Sequence, residues 1–176
     1  ESQAGLKMEL PKRKPNRLRN YSYNNTGAYF ITICTRNKEK VLWNTKQHSI
    51  QLQNPVGASI ARPLEYELSL YGEIVDAAIQ AIPFHYPKVS IDNYVIMPNH
   101  IHILLQIHVD VGRAMLAPTV SEIVRQTKGI ITKQIGHSIF QRSFHDHIVR
   151  NRNDYLNIWA YIDNNPLYWE NDVFHC

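Results

Sequence analysis

The segment from Val89 to Ile107 constrains the fold of this chain more than any other part of the sequence. It is rich in β-branched and aromatic residues, which favour strands, and it is interrupted once, at Pro98-Asn99. Because proline has no backbone N–H to donate to a sheet, it belongs at an edge, a bulge or a tight turn. The segment therefore predicts two antiparallel strands, one before Pro98-Asn99 and one after it.

Other segments also carry clear signals of strands and helices. Residues 28–35 are a β-branched and aromatic run, which predicts a strand, and residues 41–43 predict a short partner strand. Between residues 69 and 84, apolar side chains recur every three or four positions, which is the period of an amphipathic helix. Thr119-Val120-Ser121-Glu122 is a capping box, so a second helix is predicted to begin there.

The C-terminal part adds a possible short strand over residues 146–149 and a third helix from about Asn153 to Asn165. Pro166 ends that helix, because proline disfavours the helical conformation in the residue before it. The segments 44–66 and 109–118 have no period and predict surface loops. A chain of 176 residues is long enough for one domain, and one antiparallel sheet with helices on one face, an α+β fold, is the economical packing.

Positive charge is concentrated in an N-terminal arm over residues 1–20. Residues 7–19 carry six basic side chains and one acidic side chain, a net charge of +5, whereas the whole chain carries +4. Prolines within the arm disfavour a helix, so we expect it to be extended. It could lie along a phosphate backbone, or it could be a solvated tail. Its basic side chains include Arg13, Lys14, Arg17 and Arg19.

The composition excludes several classes of protein. No run approaches the roughly 18 apolar residues of a membrane helix, so no membrane partner is expected. Cys34 and Cys176 are too few for a disulfide framework, and the first residues are polar and basic, so a cytoplasmic setting is expected. The sequence has no glycine-rich phosphate loop, no G-x-S-x-G turn and no C-x-x-C pair, which predicts no nucleotide cofactor, no serine hydrolase and no zinc ribbon.

The pattern His100-Ile101-His102 is the first candidate for chemistry. Because side chains alternate across a strand, both imidazoles are expected on one face and Ile101 on the other. Two neutral imidazole nitrogens at this separation can hold one divalent cation. The alternative is a pair of half-exposed strand histidines without a ligand. His145 and His147 are a rival pair if their segment is extended.

The last predicted helix carries the second candidate. Tyr161 lies at the rim of an apolar stripe that includes Ile158 and Ile162. Asn165 follows four residues later and therefore lies over Tyr161 on the same face of the helix. A phenol and an amide oxygen side by side could face a metal that is held on a strand. The alternative is a tyrosine at the edge of the core beside a helix-terminal asparagine.

These stretches together resemble the histidine–hydrophobic–histidine (HUH) family of single-tyrosine transposases. Residues 97–104, Met-Pro-Asn-His-Ile-His-Ile-Leu, resemble the motif that names the family, and within it the chain is most similar to the REP-associated tyrosine transposases. Residues 27–35, 140–150 and 161–166 also fit, so the resemblance covers most of the chain after the arm. It implies a ferredoxin-like antiparallel sheet and a catalytic domain over residues 21–176.

The resemblance also implies an activity and its residues. Tyr161 would be the nucleophile, and His100 and His102 would bind Mg²⁺ or Mn²⁺. Asn165 would be the third ligand, where some relatives have glutamine. A monomer or homodimer would cleave and join single-stranded or hairpin repeat DNA through a covalent phosphotyrosine. On their charge alone, the side chains expected to contact this DNA are Arg13, Lys14, Arg17, Arg19, Arg125, Lys128, Arg142 and Arg150.

Two other functions compete with this one. A metal-dependent hydrolase would use the histidine pair, with His145 or His147, to activate water, and it would form no covalent intermediate. A non-catalytic nucleic-acid-binding module is the second alternative, because ferredoxin-like sheets also recognise RNA by stacking bases on aromatic side chains. The predicted central strand presents His100, His102 and Leu104 on that face instead, which disfavours such a module.

Overall fold

A four-stranded antiparallel sheet organises the computed structural model, which describes residues 27–44, 67–108 and 118–171. The strand order is β2-β3-β1-β4, so the two strands at the centre are β3 and β1. With helices between β1 and β2 and between β3 and β4, this is the predicted ferredoxin-like α+β fold in a single domain. The strands are β1 (Gly27–Cys34), β2 (Val89–Ile96), β3 (His100–Ile107) and β4 (His145–Val149).

The predicted break at Pro98-Asn99 is the turn between β2 and β3. The backbone N–H of Met97 donates to the carbonyl of His100 at 2.8 Å and closes the turn. The carbonyl groups of the turn also bind the segment that follows β1. Asn99 O accepts from Thr35 N at 2.9 Å, and Pro98 O accepts from Leu42 N at 3.0 Å. The start of β3 is therefore fixed from two sides.

The described residues also form four α-helices, and three of them begin at a side-chain cap. Ser69 accepts from Gly72 N, and Asn151 accepts from Asp154 N. Thr119 accepts from the backbone N–H of Glu122, as the capping box predicts. The helices are α1 (Leu70–Gln80), α2 (Ile82–His85), α3 (Val120–Ile135) and α4 (Arg152–Asn164), and a 3-10 helix follows α4 over Asn165–Asn171.

The two faces of the sheet carry separate cores. α1 and α3 pack on one face, against alternate residues of the central strands such as Ile31 and Ile103. α4 packs on the other face, where Ile158 and Ile162 meet Leu104. The sequence predicted all helices on one face, and α1 and α3 follow that prediction. α4 instead covers the other face, because the apolar positions there match its own apolar stripe.

Some predictions differ in detail or lie outside the described residues. The short partner strand at 41–43 is a single bridge between Trp43 and Leu68. The N-terminal arm over residues 1–20, residues 45–66 and residues 109–117 lie outside the described residues. None of the helices in the described ranges is both long enough and apolar enough to cross a membrane.

Candidate active site

The two histidines of β3 meet on the face of the sheet that α4 covers. His100 and His102 are 0% and 1% exposed, so they are buried rather than half-exposed strand histidines. Their Nε2 atoms lie 3.1 Å apart. Ile101 points to the opposite core, as strand alternation predicts. β3 therefore places two ring nitrogens close enough together to bind the same ligand.

The other nitrogen of each ring has an oxygen partner. His100 Nδ1 lies 2.8 Å from Asn99 Oδ1, and His102 Nδ1 lies 2.9 Å from Thr32 Oγ1. Because an amide oxygen only accepts hydrogen bonds, His100 donates through Nδ1, which leaves a lone pair on its Nε2. A threonine hydroxyl can accept in the same way from His102. This is the arrangement by which metal-ligating histidines are oriented, so the pair fits a cation.

Burial keeps His102 neutral. Removal of His102 from water lowers its pKa well below the ordinary value of histidine, and the neighbouring His100 lowers that pKa further. At physiological pH the His102 imidazole is therefore uncharged, which is the form that binds a metal.

Tyr161 on α4 lies beside the Nε2 atoms of the histidine pair. Its hydroxyl lies 3.3 Å from His102 Nε2, and its ring meets that of His102 at a centroid distance of 5.2 Å. Phe30 of β1 stacks on His102 at 5.0 Å and meets Tyr161 edge-on at 6.0 Å. Tyr161 remains 41% exposed, so this side chain is partly open to solvent.

The other tyrosine of α4 is held differently. Tyr155 donates its hydroxyl proton to Asp92 Oδ2 at 2.9 Å. Burial and this carboxylate raise the pKa of Tyr155 to about 12. A phenol that is this difficult to ionise is a poor nucleophile. The structure thus separates the two tyrosines by their surroundings.

Asn165 lies at the end of α4, one turn after Tyr161, and is 4% exposed. Its amide oxygen is a ligand type that Mg²⁺ and Mn²⁺ accept. Within the described ranges, no three His, Cys, Asp or Glu side chains form a group that could hold a metal. A cation at this site would therefore depend on the two imidazoles and on oxygen ligands such as an amide, water or phosphate.

No sequence pattern indicated the side chains that support the histidine pair. Trp169, in the 3-10 helix after α4, is buried and lies 6.0 Å from the His100 ring. Its other neighbours are Trp43, at a ring distance of 6.2 Å, and Lys40, whose Nζ lies 5.6 Å from the Trp169 ring. Thr32 becomes a partner of His102 only because β1 and β3 pair in this register.

The rival pair His145 and His147 lies on β4, at the edge of the sheet. Thr32 pairs with both His102 and His145, so a strand separates the two histidine pairs. His147 Nε2 binds Asp154 Oδ2 of α4 at 2.9 Å. This hydrogen bond is the main cause that lowers the pKa of Asp154. His147 is thus held by a carboxylate of α4 and is not joined to the buried pair.

The predicted DNA-binding residues are distributed over several surfaces. Arg142 precedes β4 in the chain and Arg150 follows it, and both side chains are exposed. Arg125 is exposed on α3, which packs on the face opposite to the histidines. Lys128 is half-buried, and its Nζ donates to the carbonyls of residues 141 and 143, both at 2.9 Å. The remaining four, Arg13, Lys14, Arg17 and Arg19, lie outside the described residues.

Comparison with known proteins identifies one relative and one structural neighbour. No protein-family model matches the chain. An uncharacterised protein of Haemophilus influenzae is 33% identical over 183 aligned positions, which cover 93% of this chain and 93% of that protein. A solved structure of a REP-associated tyrosine transposase bound to a REP hairpin is 24% identical, with a TM-score of 0.58. That alignment covers 87% of this chain and 73% of the transposase chain.

The solved structure confirms, at the level of the fold, the resemblance that the sequence motifs indicated. The Haemophilus influenzae protein extends the comparison over nearly the full length of both chains. This chain therefore belongs to one family with that protein, and it has the fold of a REP-associated tyrosine transposase.

Proposed function

We propose that this protein cleaves and joins DNA strands through a covalent link to Tyr161, with a divalent cation held by His100, His102 and Asn165. The observation that carries the proposal is the distance of 3.3 Å between the Tyr161 hydroxyl and His102 Nε2, beside a second buried imidazole. A partly exposed tyrosine beside two buried imidazoles is the combination that this chemistry requires.

We assign a separate role to each side chain of the site. Bound Mg²⁺ or Mn²⁺ would supply a positive charge that polarises a phosphate oxygen. His100 and His102 present their Nε2 lone pairs, while Asn99 and Thr32 hold the opposite ring nitrogens. Asn165 would add an amide oxygen; this assignment rests on its place one turn after Tyr161 and on the resemblance. Phe30 fixes the relative position of the Tyr161 and His102 rings.

Tyr161 would carry out the strand transfer. A protonated phenol is a weak nucleophile, so Tyr161 would attack as it loses its proton. A bond forms between the Tyr161 oxygen and the phosphorus, and the bond from phosphorus to a deoxyribose oxygen breaks. That oxygen leaves as a free hydroxyl after it gains a proton. Because the link retains a phosphodiester, another DNA hydroxyl can reverse the step and join a new strand.

The proposed substrate is single-stranded or hairpin repeat DNA. The fold neighbour described as bound to a REP hairpin supports this choice. Phosphate contacts would come from basic side chains, since such contacts dominate protein–DNA affinity. One chain supplies both Tyr161 and His102, so we propose that a monomer is sufficient for the chemistry. The proposed phosphate contacts are Arg13, Lys14, Arg17, Arg19, Arg125, Lys128, Arg142 and Arg150.

Substitution of the nucleophile tests the proposal. We expect Tyr161→Phe to abolish the protein–DNA adduct, with nearly unchanged DNA binding, because only the attacking oxygen is lost. The matched control is Tyr168→Phe, which removes a phenol that is 63% exposed on the adjoining 3-10 helix. The assay incubates labelled single-stranded and hairpin oligonucleotides with Mn²⁺ and detects the adduct on a denaturing gel.

Three other outcomes would contradict the proposal. An adduct that persists in Tyr161→Phe removes this residue from the role. Metal-dependent cleavage without any adduct in the native chain favours the hydrolase. DNA binding without cleavage, insensitive to a chelator, favours the non-catalytic module.

A further inference from the structure

Strand β2 contains a bulge on the side of α4. Ile91 pairs with Leu105 and Asn93 pairs with Leu104, so Asp92 is an extra residue in β2. The bulge changes which side chains share a face. Ile91 faces the core under α1 and α3, whereas Asn93 is paired with a residue of the α4 core. Two consecutive polar side chains, Asp92 and Asn93, are thereby available to α4.

Both of these side chains bind α4. Asp92 Oδ2 accepts from the Tyr155 hydroxyl at 2.9 Å. Asn93 Nδ2 donates to Asp163 Oδ1 at 2.8 Å. We call these two hydrogen bonds the bulge contacts. Ser90 Oγ also donates to Asp92 Oδ1 at 3.2 Å, which holds the carboxylate in place.

The bulge contacts lie on the opposite rim of α4 from Tyr161. At 100° per residue, Tyr155 and Asp163 lie about 120° and 200° from Tyr161 around the helix. α4 buries only two side chains in its own span, Ile158 and Ile162. Such a narrow apolar stripe resists lifting of the helix more than it resists rolling about the axis.

Rolling would displace the phenol. A roll of about 10° moves a group about 6 Å from a helix axis by about 1 Å. A misplacement of about 1 Å in a reacting group can reduce a rate by about 100-fold. The rotational position of α4 is therefore as important to Tyr161 as its distance from the sheet.

We propose that the bulge contacts position Tyr161, by fixing the rotation of α4 on the sheet so that the phenol stays at His102. The inference rests on the proposed function for its effect on rate, and on the hydrogen bonds alone for its effect on α4. Asp92, Asn93, Tyr155 and Asp163 are positioning residues, since none of them is proposed to touch DNA or the cation.

The main test compares two tyrosine–aspartate hydrogen bonds of β2. Tyr155→Phe removes the bond from α4 to Asp92. The matched control Tyr94→Phe removes the bond from Tyr94 of β2 to Asp76 of α1, at 2.7 Å on the other face. Hydrogen exchange of the α4 amides and the single-turnover rate of adduct formation are measured in both variants, together with DNA binding and thermal unfolding.

We expect Tyr155→Phe to raise α4 amide exchange and to lower the adduct rate, each by about tenfold, because a hydrogen bond to a charged group is lost. DNA binding should change by less than about twofold, since the phosphate contacts remain. Tyr94→Phe should leave α4 exchange and adduct rate at native values, even where it lowers the unfolding temperature.

Two further variants test the bulge contacts through substitutions that are expected to leave the fold intact. Asp92→Asn retains an oxygen that can accept from Tyr155, so its adduct rate should lie near the native value, above that of Asp92→Ala. Asn93→Ala removes only the exposed contact with Asp163, and we expect an effect of about threefold on the rate.

Equal α4 exchange and equal adduct rates in Tyr155→Phe and Tyr94→Phe would overturn the inference. So would a rate for Asp92→Asn as low as that of Asp92→Ala, because then the carboxylate acts by charge and not as an acceptor for Tyr155. A native chain that forms no adduct on any DNA removes the proposed function instead. The exchange comparison then decides by itself whether the bulge contacts hold α4.

Discussion

The two faces of the sheet are built from the same strands but serve different purposes. On the face under α1 and α3, β1 and β3 present mainly apolar side chains to the core, including Ile31, Ile33, Ile101 and Ile103. On the face under α4, the same strands present buried polar groups, and His100, His102 and Thr32 are among them. The alternation of a strand makes this division possible, since neighbouring residues belong to different environments.

Stability therefore comes mainly from one face of the sheet, and the candidate chemistry lies on the other. Burial of apolar surface stabilises the α1 and α3 face, at roughly 25 cal/mol per Å². The α4 face buries imidazoles, which costs stability unless each nitrogen has a partner, and Asn99 and Thr32 provide two such partners. A buried polar cluster with oriented nitrogens is expected at a site and not in a purely structural core.

The largest expected effect comes from a change on the α4 face. We expect His102→Gln to lower the adduct rate by at least about 10³-fold, because a proposed ligand of the cation is lost, with the fold retained. Removal of divalent ions with EDTA should have a similar effect, which added Mn²⁺ reverses. Adduct formation in saturating DNA is the measurement.

The neighbouring residue provides the control for that experiment. Ile101→Val removes one methyl group from the opposite core and should lower the free energy of unfolding by about 0.5–1.5 kcal/mol. Its adduct rate should equal that of the native chain. If Ile101→Val reduced the rate as much as His102→Gln, the two faces would not be separable in the way described.

Two glycines on the α1 and α3 face are expected to change the free energy of unfolding in opposite directions when replaced by alanine. A Cβ at Gly72, in the first turn of α1, would overlap the carbonyl oxygen of Leu42. A Cβ at Gly129, within α3, would meet no atom within 4 Å. We expect Gly72→Ala to destabilise the fold by about 1–3 kcal/mol, since backbone must move. Gly129→Ala should stabilise it by about 0.5–1 kcal/mol through helix propensity.

Urea denaturation of the two variants measures this difference. Both residues are on helices of the same face, so a common loss of stability would show that the close approach of Gly72 to Leu42 is not the cause. Neither variant should alter the adduct rate of the folded protein, because neither residue lies near α4.

The smallest expected effect concerns pH and Lys128 of α3. Burial lowers the pKa of Lys128 to about 8, below the ordinary value of 10.5. Between these values the unfolded chain binds more protons than the folded chain, so stability should rise with pH from about 8 to about 10.5. The neutral amine retains two N–H donors for the carbonyls of residues 141 and 143.

Partial exposure of Lys128 to solvent makes this a small slope, and it is measured as a difference between two proteins. Thermal unfolding of the native chain and of Lys128→Met is followed over that pH range. The native chain should gain stability relative to the variant as pH rises. A gain in the opposite direction would mean that the ammonium form is the better partner of the two carbonyls.

Much of the fold follows from local patterns. The proline between β2 and β3 and the capping box at Thr119 determine boundaries within a few neighbouring residues, and the structure confirms both. The common face of His100 and His102 follows from strand alternation, and the common face of Tyr161 and Asn165 follows from the helical period. These predictions depend only on neighbours in the chain, which is why they could be made.

The structure alone determined which elements meet. The family resemblance implied that Tyr161 and the two histidines share a site, but local patterns do not show that Thr32 lies opposite His102 or that Trp169 packs over His100. Nor do they show the extra residue at Asp92. Each of these facts is a contact between residues far apart in the chain. Periodicity fixes the direction of a side chain within its own element, and only the packing of whole elements decides what that side chain touches.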